Sequence, residues 1–361
     1  MEIERLFRAM VEQDASDLFL KVGNRPFLRI GGRLFPVGEE RLASEHVTAI
    51  VSELLEPAQR QRFHAERELT VAFERDGLGR FRLSMLWQQG TIALVIRRIQ
   101  RVIPTFSELG LPGEVLGRLL AESYGLILVT GPTGSGKSTT VASMLDHLNH
   151  TTPKHIVTLE DPIEFHLREE QALINQREIG VDTRSLNEAL RHVMRQSPDV
   201  LFVSDIRDPE TLESCLIAAE SGQLVLSCIH TTNVVTTVER LVAFAPLHQH
   251  EVIRLRLSLI VRGIMSLRLL QRQDGGGRVP ACEVLVATPT VREYLREGHT
   301  ERLPAVIRDG ALHGMQTFTQ ALYQRYRQGE VDLAEALRCA DSPDELQLAV
   351  REIHSTGDVQ S

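Results

Sequence analysis

The chain has 361 residues, 42% of them hydrophobic and 24% charged, with a formal net charge of −8. That composition fits a water-soluble protein long enough for two domains with cores of their own; no apolar run reaches the ~20 residues of a bilayer-spanning helix, and the acidity argues against a nucleic-acid-coating protein. The four cysteines, Cys215, Cys228, Cys282 and Cys339, contain no C-x-x-C pair, which disfavours a disulfide frame or zinc ribbon and points to a reducing, cytosolic compartment.

Residues 1–100 read as a small α+β domain. Leu6, Phe7, Met10 and Val11 make a helical face, and no secretory signal is expected because Glu2, Glu4, Arg5 and Arg8 interrupt the first ten residues. The acidic turn from Asp14 to Asp17 leads into an apolar strand, and 27–30, Gly31, Gly32 and 33–35 read as a hairpin. A helix at 44–55 and strands at 68–73, 80–86 and 92–96 complete a sheet with one helical side. Arg80, Arg82, Arg97 and Arg98 gather near the end of this domain. Alternation puts Arg80 and Arg82 on one strand face, which leaves two readings open: a solvated face, or arginine fingers that reach a γ-phosphate. From 101 to 113, Pro104, Gly110, Pro112 and Gly113 mark a hinge linker, and the second domain runs from 114 to 361, opening with a helix at 114–122.

That second domain is organised around one stretch. An apolar strand at 126–129 runs into Gly131, Pro132, Thr133, Gly134, Ser135, Gly136, Lys137, Ser138 and Thr139, and a helical pattern follows at Val141, Met144, Leu145 and Leu148. Glycines let successive N–H groups face a phosphate, and the helix points its positive end there. Lys137 is expected to pair with the β- and γ-phosphates of ATP, and Ser138 to place its hydroxyl on Mg²⁺. A strand at 155–159 ends in Glu160, Asp161 and Glu164, at the strand end where open α/β sheets collect their chemistry. Glu164 is the candidate general base, Glu160 and Asp161 its neighbours; an acidic surface loop is the bland alternative.

A helix at 185–195 leads to a strand at 200–203, then Ser204 and Asp205. Asp205 is the candidate for holding Mg²⁺ through its water shell, and Asp208 is expected to cap the next helix. The strand at 224–229 delivers His230, either structural or a reporter of the γ-phosphate. Segment 252–270, with Ile253, Leu257, Ile260, Ile264 and Leu267 among Arg254, Arg256, Arg262 and Arg268, reads as a core-packed helix with snorkelling arginines rather than a membrane-surface helix. A turn at 274–277, a strand at 281–287 and helices from Thr290, Met315 and Asp332 complete the chain.

Segments 131–140, 158–165, 199–208 and 229–232 resemble the four nucleotide boxes of the secretion ATPase superfamily, and within it the type IV pilus retraction motors of the PilT/PilU group. The likeness covers nearly the whole chain: 15–20 and 31–34 are similar to the family's first domain, 176–180 and 314–322 to its second half. Segments 335–341 and 103–106 resemble the PilU branch more than the PilT branch. The resemblance implies an α/β architecture, with an N-terminal PAS-like α+β domain followed by a RecA-like P-loop ATPase domain with a helical C-terminal part. It also implies a homohexameric ring that turns ATP hydrolysis into domain rotation about the linker. Such a ring works at the cytoplasmic face of the inner membrane, without membrane insertion or nucleic acid, beside a PilT-type retraction ATPase and an inner-membrane pilus platform protein.

Residue by residue, the resemblance assigns Lys137 and Ser138 to phosphate and Mg²⁺, Glu164 to the base, Arg82 and Arg97 to the γ-phosphate, and His230 to the later histidine of the histidine box. Three positions depart from it. Ser204-Asp205 replaces the family's Gly-Glu, which withdraws the carboxylate by roughly 1.5 Å, and Gln223 replaces the earlier histidine. The expectation is a slow ATPase that assists a stronger retraction motor; the alternatives are an ATP-binding ring that does not hydrolyse and a RecA-like nucleic-acid motor.

Overall fold

In the computed structural model, which describes residues 3–99 and 102–357, the chain divides into Met1–Val102 and Ile103–Ser361. Arg101, where the hinge reading begins, lies outside the described residues.

The first unit runs α1 (Ile3–Glu12), β1 (Asp17–Lys21), β2 (Phe27–Ile30), β3 (Arg33–Pro36), α2 (Ser44–Leu54), α3 (Pro57–Glu66), β4 (Glu68–Arg75), β5 (Gly79–Gln88) and β6 (Thr91–Ile99). Its six strands pair in the order β3-β2-β1-β6-β5-β4, antiparallel throughout. Phe81, Leu83 and Met85 alternate inward along β5 and share one core with Phe7 of α1, Val47 of α2 and Phe63 of α3, so the sheet is covered on one side. Helix α3 is absent from the sequence reading because Phe63 is its only buried residue. The other sheet face carries a cross-strand row, Arg82 opposite Arg97, Arg97 opposite Asp17, Asp17 opposite Arg29. Arg98 falls on the opposite face and pairs with Asp14 at 3.0 Å.

The second unit continues with α4 (Phe106–Leu109), α5 (Gly113–Leu120), β7 (Gly125–Thr130), α6 (Lys137–Thr151), β8 (His155–Glu160), β9 (Leu173–Glu178), α7 (Leu186–Val193), β10 (Val200–Val203), α8 (Pro209–Glu220), β11 (Leu224–Ile229), α9 (Val234–Ala243), α10 (His250–Ile260), β12 (Val261–Gln271), β13 (Arg278–Val286), α11 (Pro289–Glu297), α12 (Leu303–Asp309), α13 (Phe318–Arg327), α14 (Leu333–Cys339) and α15 (Pro343–Gly357). The strand order is β13-β12-β7-β11-β10-β8-β9, parallel except for β13. Every residue of β7, β10 and β11 is buried because helices cover both faces. Leu126 and Leu128 enter one core and Ile127 and Val129 the other. In the stretch read as linker, Thr105 and Glu108 cap α4 reciprocally, and Ile103, Phe106 and Leu109 pack on the α5–α6 core.

The helix expected over 252–270 is corrected. Helix α10 ends at Ile260, Val261 turns to extended geometry, and the remainder is β12. Spacings of three and four among apolar residues also suit a strand whose two faces are both buried. Arg262 does not snorkel: it is buried, donating to the Tyr124 carbonyl at 2.9 Å and lying 4.4 Å from the centre of its ring. Strand β9, also unforeseen, is a polar edge strand paired only with β8. Among the described residues no helix is long and apolar enough to cross a membrane.

Two of the carboxylates buried in this sheet, Glu160 at the end of β8 and Glu283 in β13, are each pushed up to about 7 chiefly by burial. Between the ordinary carboxylate range and that value the folded chain holds protons that the unfolded chain has released, so both groups make stability fall as pH rises through the window. Urea melts between pH 5 and 8 should therefore show the wild-type midpoint dropping more than that of the Glu160→Gln/Glu283→Gln variant.

Candidate functional site

Strand β7 ends at Thr130, whose hydroxyl bonds to Ser266 of β12 at 2.8 Å. The chain then turns at Gly131, with φ +147°, where a Cβ would meet the Ser135 hydroxyl and lie 2.7 Å from the Leu267 carbonyl oxygen. Gly136, with φ +94°, opens α6. Thr133 and Gly134 are exposed at the loop tip, Ser138 is exposed and Thr139 half-buried in the first turn of α6. The Ser135 hydroxyl is buried and, among the described residues, has no hydrogen-bond partner. A glycine-walled turn at a helix start, with a hydroxyl in need of a partner, suits an anion.

Lys137 is 8% exposed, and its ammonium bends back onto the loop. It donates to the carbonyls of Gly131 at 2.8 Å and Pro132 at 3.0 Å, and lies 3.2 Å from His230 Nδ1. Burial pulls its pKa below the usual lysine range, against Cys228, Asp205 and Glu164. The other ring nitrogen, Nε2, lies 3.1 Å from Asp205 Oδ2. An ammonium on one side and a carboxylate on the other assign the ring's proton: Nδ1 accepts, Nε2–H donates. Arg207 Nε donates to the same Asp205 oxygen at 3.0 Å, and its Nη1 lies 4.0 Å from Asp161. The remaining Asp205 oxygen, Oδ1, is buried with no partner among the described residues. Asp208 caps α8, accepting the Thr211 N–H at 2.8 Å.

Glu160 and Glu164 stand in different surroundings. Glu160 accepts from the Thr158 hydroxyl at 2.7 Å and Gln176 Nε2 at 3.0 Å. Burial nonetheless dominates and raises its pKa. Glu164 is half-buried on the loop after β8, and that loop is pinned where the buried Glu178 accepts the Ile163 N–H at 3.2 Å.

Arg82 and Arg97 belong to the first unit. Arg97 Nε pairs with the buried Asp17 at 2.8 Å; Asp17 also takes Arg29 at 3.3 Å and the Ser16 hydroxyl at 2.8 Å. Gln223 immediately precedes β11, at the end opposite His230, roughly 20 Å away along a strand. Its departure from the family pattern therefore removes nothing from the edge that carries His230. Sequence reasoning gave no role to Arg207, Thr158 or Gln176. The last two are direct neighbours in the β8–β9 register, a signal hidden until β9 is recognised as a strand.

Residues 2–338 match the model of the Type II/IV secretion system protein family. The chain is 38% identical over 351 residues to the type IV pilus ATPase PilU of Pseudomonas aeruginosa, covering 97% of this chain and 92% of that protein. It is likewise 38% identical over 344 residues to PilT of the same organism, a type IV pilus retractation ATPase, covering 95% and 99%. Among solved structures, the crystal structure of the pilus retraction motor PilT with bound ADP matches with a TM-score of 0.86 at 40% identity, over 96% of this chain and 99% of the other. The Legionella pneumophila ATPase DotB matches with a TM-score of 0.80 at 25% identity, over 92% and 94%. The fold is thus the α/β one expected, an N-terminal α+β domain followed by a RecA-like ATPase domain. By its family match and by relatives that span its whole length, the chain belongs to the Type II/IV secretion system protein family.

Proposed function

We propose that this protein is an ATP-hydrolysing motor of type IV pilus retraction, working as a homohexameric ring at the cytoplasmic face of the inner membrane, on the platform protein and beside a PilT-type motor. The observation that carries the reading is the gathering of Lys137, His230 and Asp205 at one sheet edge beside the loop 131–139. The glycine turn, the start of α6, the unpartnered Ser135 hydroxyl and the buried, unpartnered Asp205 oxygen fit a phosphate chain with a divalent cation. Amides of 133–139 cradle the phosphates, and Lys137 exchanges the carbonyls of Gly131 and Pro132 for phosphate oxygens. Ser138, and Asp205 through water, would hold Mg²⁺, which when bound neutralises phosphate charge. Glu164 takes the proton of the attacking water, and Glu178 anchors that loop by accepting the Ile163 N–H. Arg82 and Arg97 are assigned the arginine-finger role, with Asp17 setting the direction of Arg97.

An accessory, slow motor is favoured over a main one by the oxygen accounting at Asp205. One oxygen serves His230 and Arg207, the other is buried without a partner among the described residues, and the side chain is one CH₂ shorter than the family's glutamate. A shift of about 1 Å in a catalytic group can cost ~100-fold. A ring that binds without hydrolysing is the second reading drawn from the same observation.

Filter-binding and phosphate-release assays on the purified protein separate these readings. Lys137→Ala should lose both ATP retention and turnover, whereas Glu164→Gln should retain ATP and lose turnover by about 100-fold or more. A chain in which neither variant changes phosphate release is no ATPase. Asp205→Glu should turn over faster than wild type; equal rates remove the weakened-site argument.

A further inference from the structure

The loop after β11 carries His230 at one end and opens α9 at the other, and two side chains of the β12–β13 ribbon hold its middle. Arg268 of β12 donates from Nη2 to the Thr232 carbonyl at 3.2 Å. Glu283 of β13 accepts the Val234 N–H, the first of α9, at 2.7 Å. Glu283 lies opposite Ser266, two residues before Arg268, so both side chains leave the ribbon on one face.

Arg268 also reaches away from the loop. Its Nη1 donates to the Cys339 carbonyl at 2.7 Å and its Nη2 pairs with Asp341 at 2.5 Å. Its guanidinium sits 3.8 Å from the centre of the Phe318 ring. Phe318 opens α13, Cys339 ends α14, and Asp341 lies in the turn before α15. These three helices have an apolar cluster of their own, built with Leu270, Val279 and Ala281 of the ribbon. One side chain therefore touches both the loop that begins at His230 and each part of the C-terminal helical module. Only a planar, five-donor group can hold that many acceptors in fixed directions while stacked on a ring.

We propose that Arg268 is a positioning residue that couples the nucleotide state sensed at His230 to the helices α13–α15, with Glu283 fixing the start of α9. The inference rests on reading the chain as an ATPase. When Lys137 turns to phosphate, His230 loses one of its two partners, loop 231–234 shifts, and Arg268 carries the shift to Cys339 and Asp341. Coupling of this kind is reciprocal: cutting the link from the helical side must also change nucleotide affinity.

The test is amide hydrogen exchange of the full chain with and without a non-hydrolysable ATP analogue and Mg²⁺, read on peptides covering 231–243 and 333–350. In wild type the analogue should slow exchange in both. In Arg268→Gln the response at 231–243 should remain and that at 333–350 disappear, with the analogue's Kd shifted about fivefold or more; Arg268→Lys should recover only part of the response. Should Arg268→Gln fail to fold, Asp341→Ala cuts the same link at a half-exposed carboxylate and should give the same loss. A response at 333–350 that survives in either folded variant, or none there in a wild type that binds the analogue, overturns the coupling. A wild type that does not bind the analogue overturns the ATPase reading itself.

Discussion

A buried ammonium has to be met by the groups around it, and at Lys137 that requirement shapes the site. An isolated cation out of water is costly enough that proteins pair it, hydrogen-bond it or deprotonate it. Here the response is mixed: two loop carbonyls and an imidazole accept its three protons, and burial still pulls its pKa down. The carbonyls are neutral partners, and the imidazole accepts only because Asp205 holds its other nitrogen as donor. This state is satisfied but not neutralised, so phosphate oxygens are the better partners when they arrive.

The sheet explains why these groups meet. Strands β7, β11, β10 and β8 are consecutive neighbours, and the residues just past their carboxyl ends include Lys137, His230, Asp205 and, at the last position of β8, Glu160. A parallel ladder presents all its carboxyl ends along one edge, and strands packed on both faces tolerate little displacement. The chemistry is thus arranged by backbone pairing before any side-chain contact is made. The antiparallel ribbon β12–β13 then lies beside β7 on the flank away from β11, from where its side chains reach the loop after His230.

Much of this was legible in the sequence, and the failures have physical causes. The loop 131–139 announces itself because glycines, lysine and hydroxyls are needed at fixed spacing between a strand and a helix. The apolar runs of β8, β10 and β11 are readable because both their faces are buried. What escaped was whatever depends on tertiary pairing. Strand β9 is polar because it is an edge, α3 has a single buried anchor, and β12 mimicked a helix because strands buried on both faces lose their alternation. Arg262 and Arg268 looked like surface charges; their partners are aromatic rings and backbone carbonyls distant in sequence, which no local pattern encodes. His230 and Asp205 could be named individually, but not the hydrogen bond between them.

Asp205 shows how one missing methylene can redistribute roles rather than abolish them. A longer carboxylate at this position would reach further into the crevice and present an oxygen to the ligand. The shorter one spends Oδ2 on His230 and Arg207 and leaves Oδ1 enclosed without a donor among the described residues. An unpartnered buried acceptor of this sort costs about 1–3 kcal/mol, and more when charged. Arg207 offsets that cost by adding a second charge-assisted bond on the side already occupied, which also fixes the orientation of the carboxylate. Asp205 Oδ2 thus orients the histidine, and a cation's water shell is the partner chemically suited to the oxygen left over.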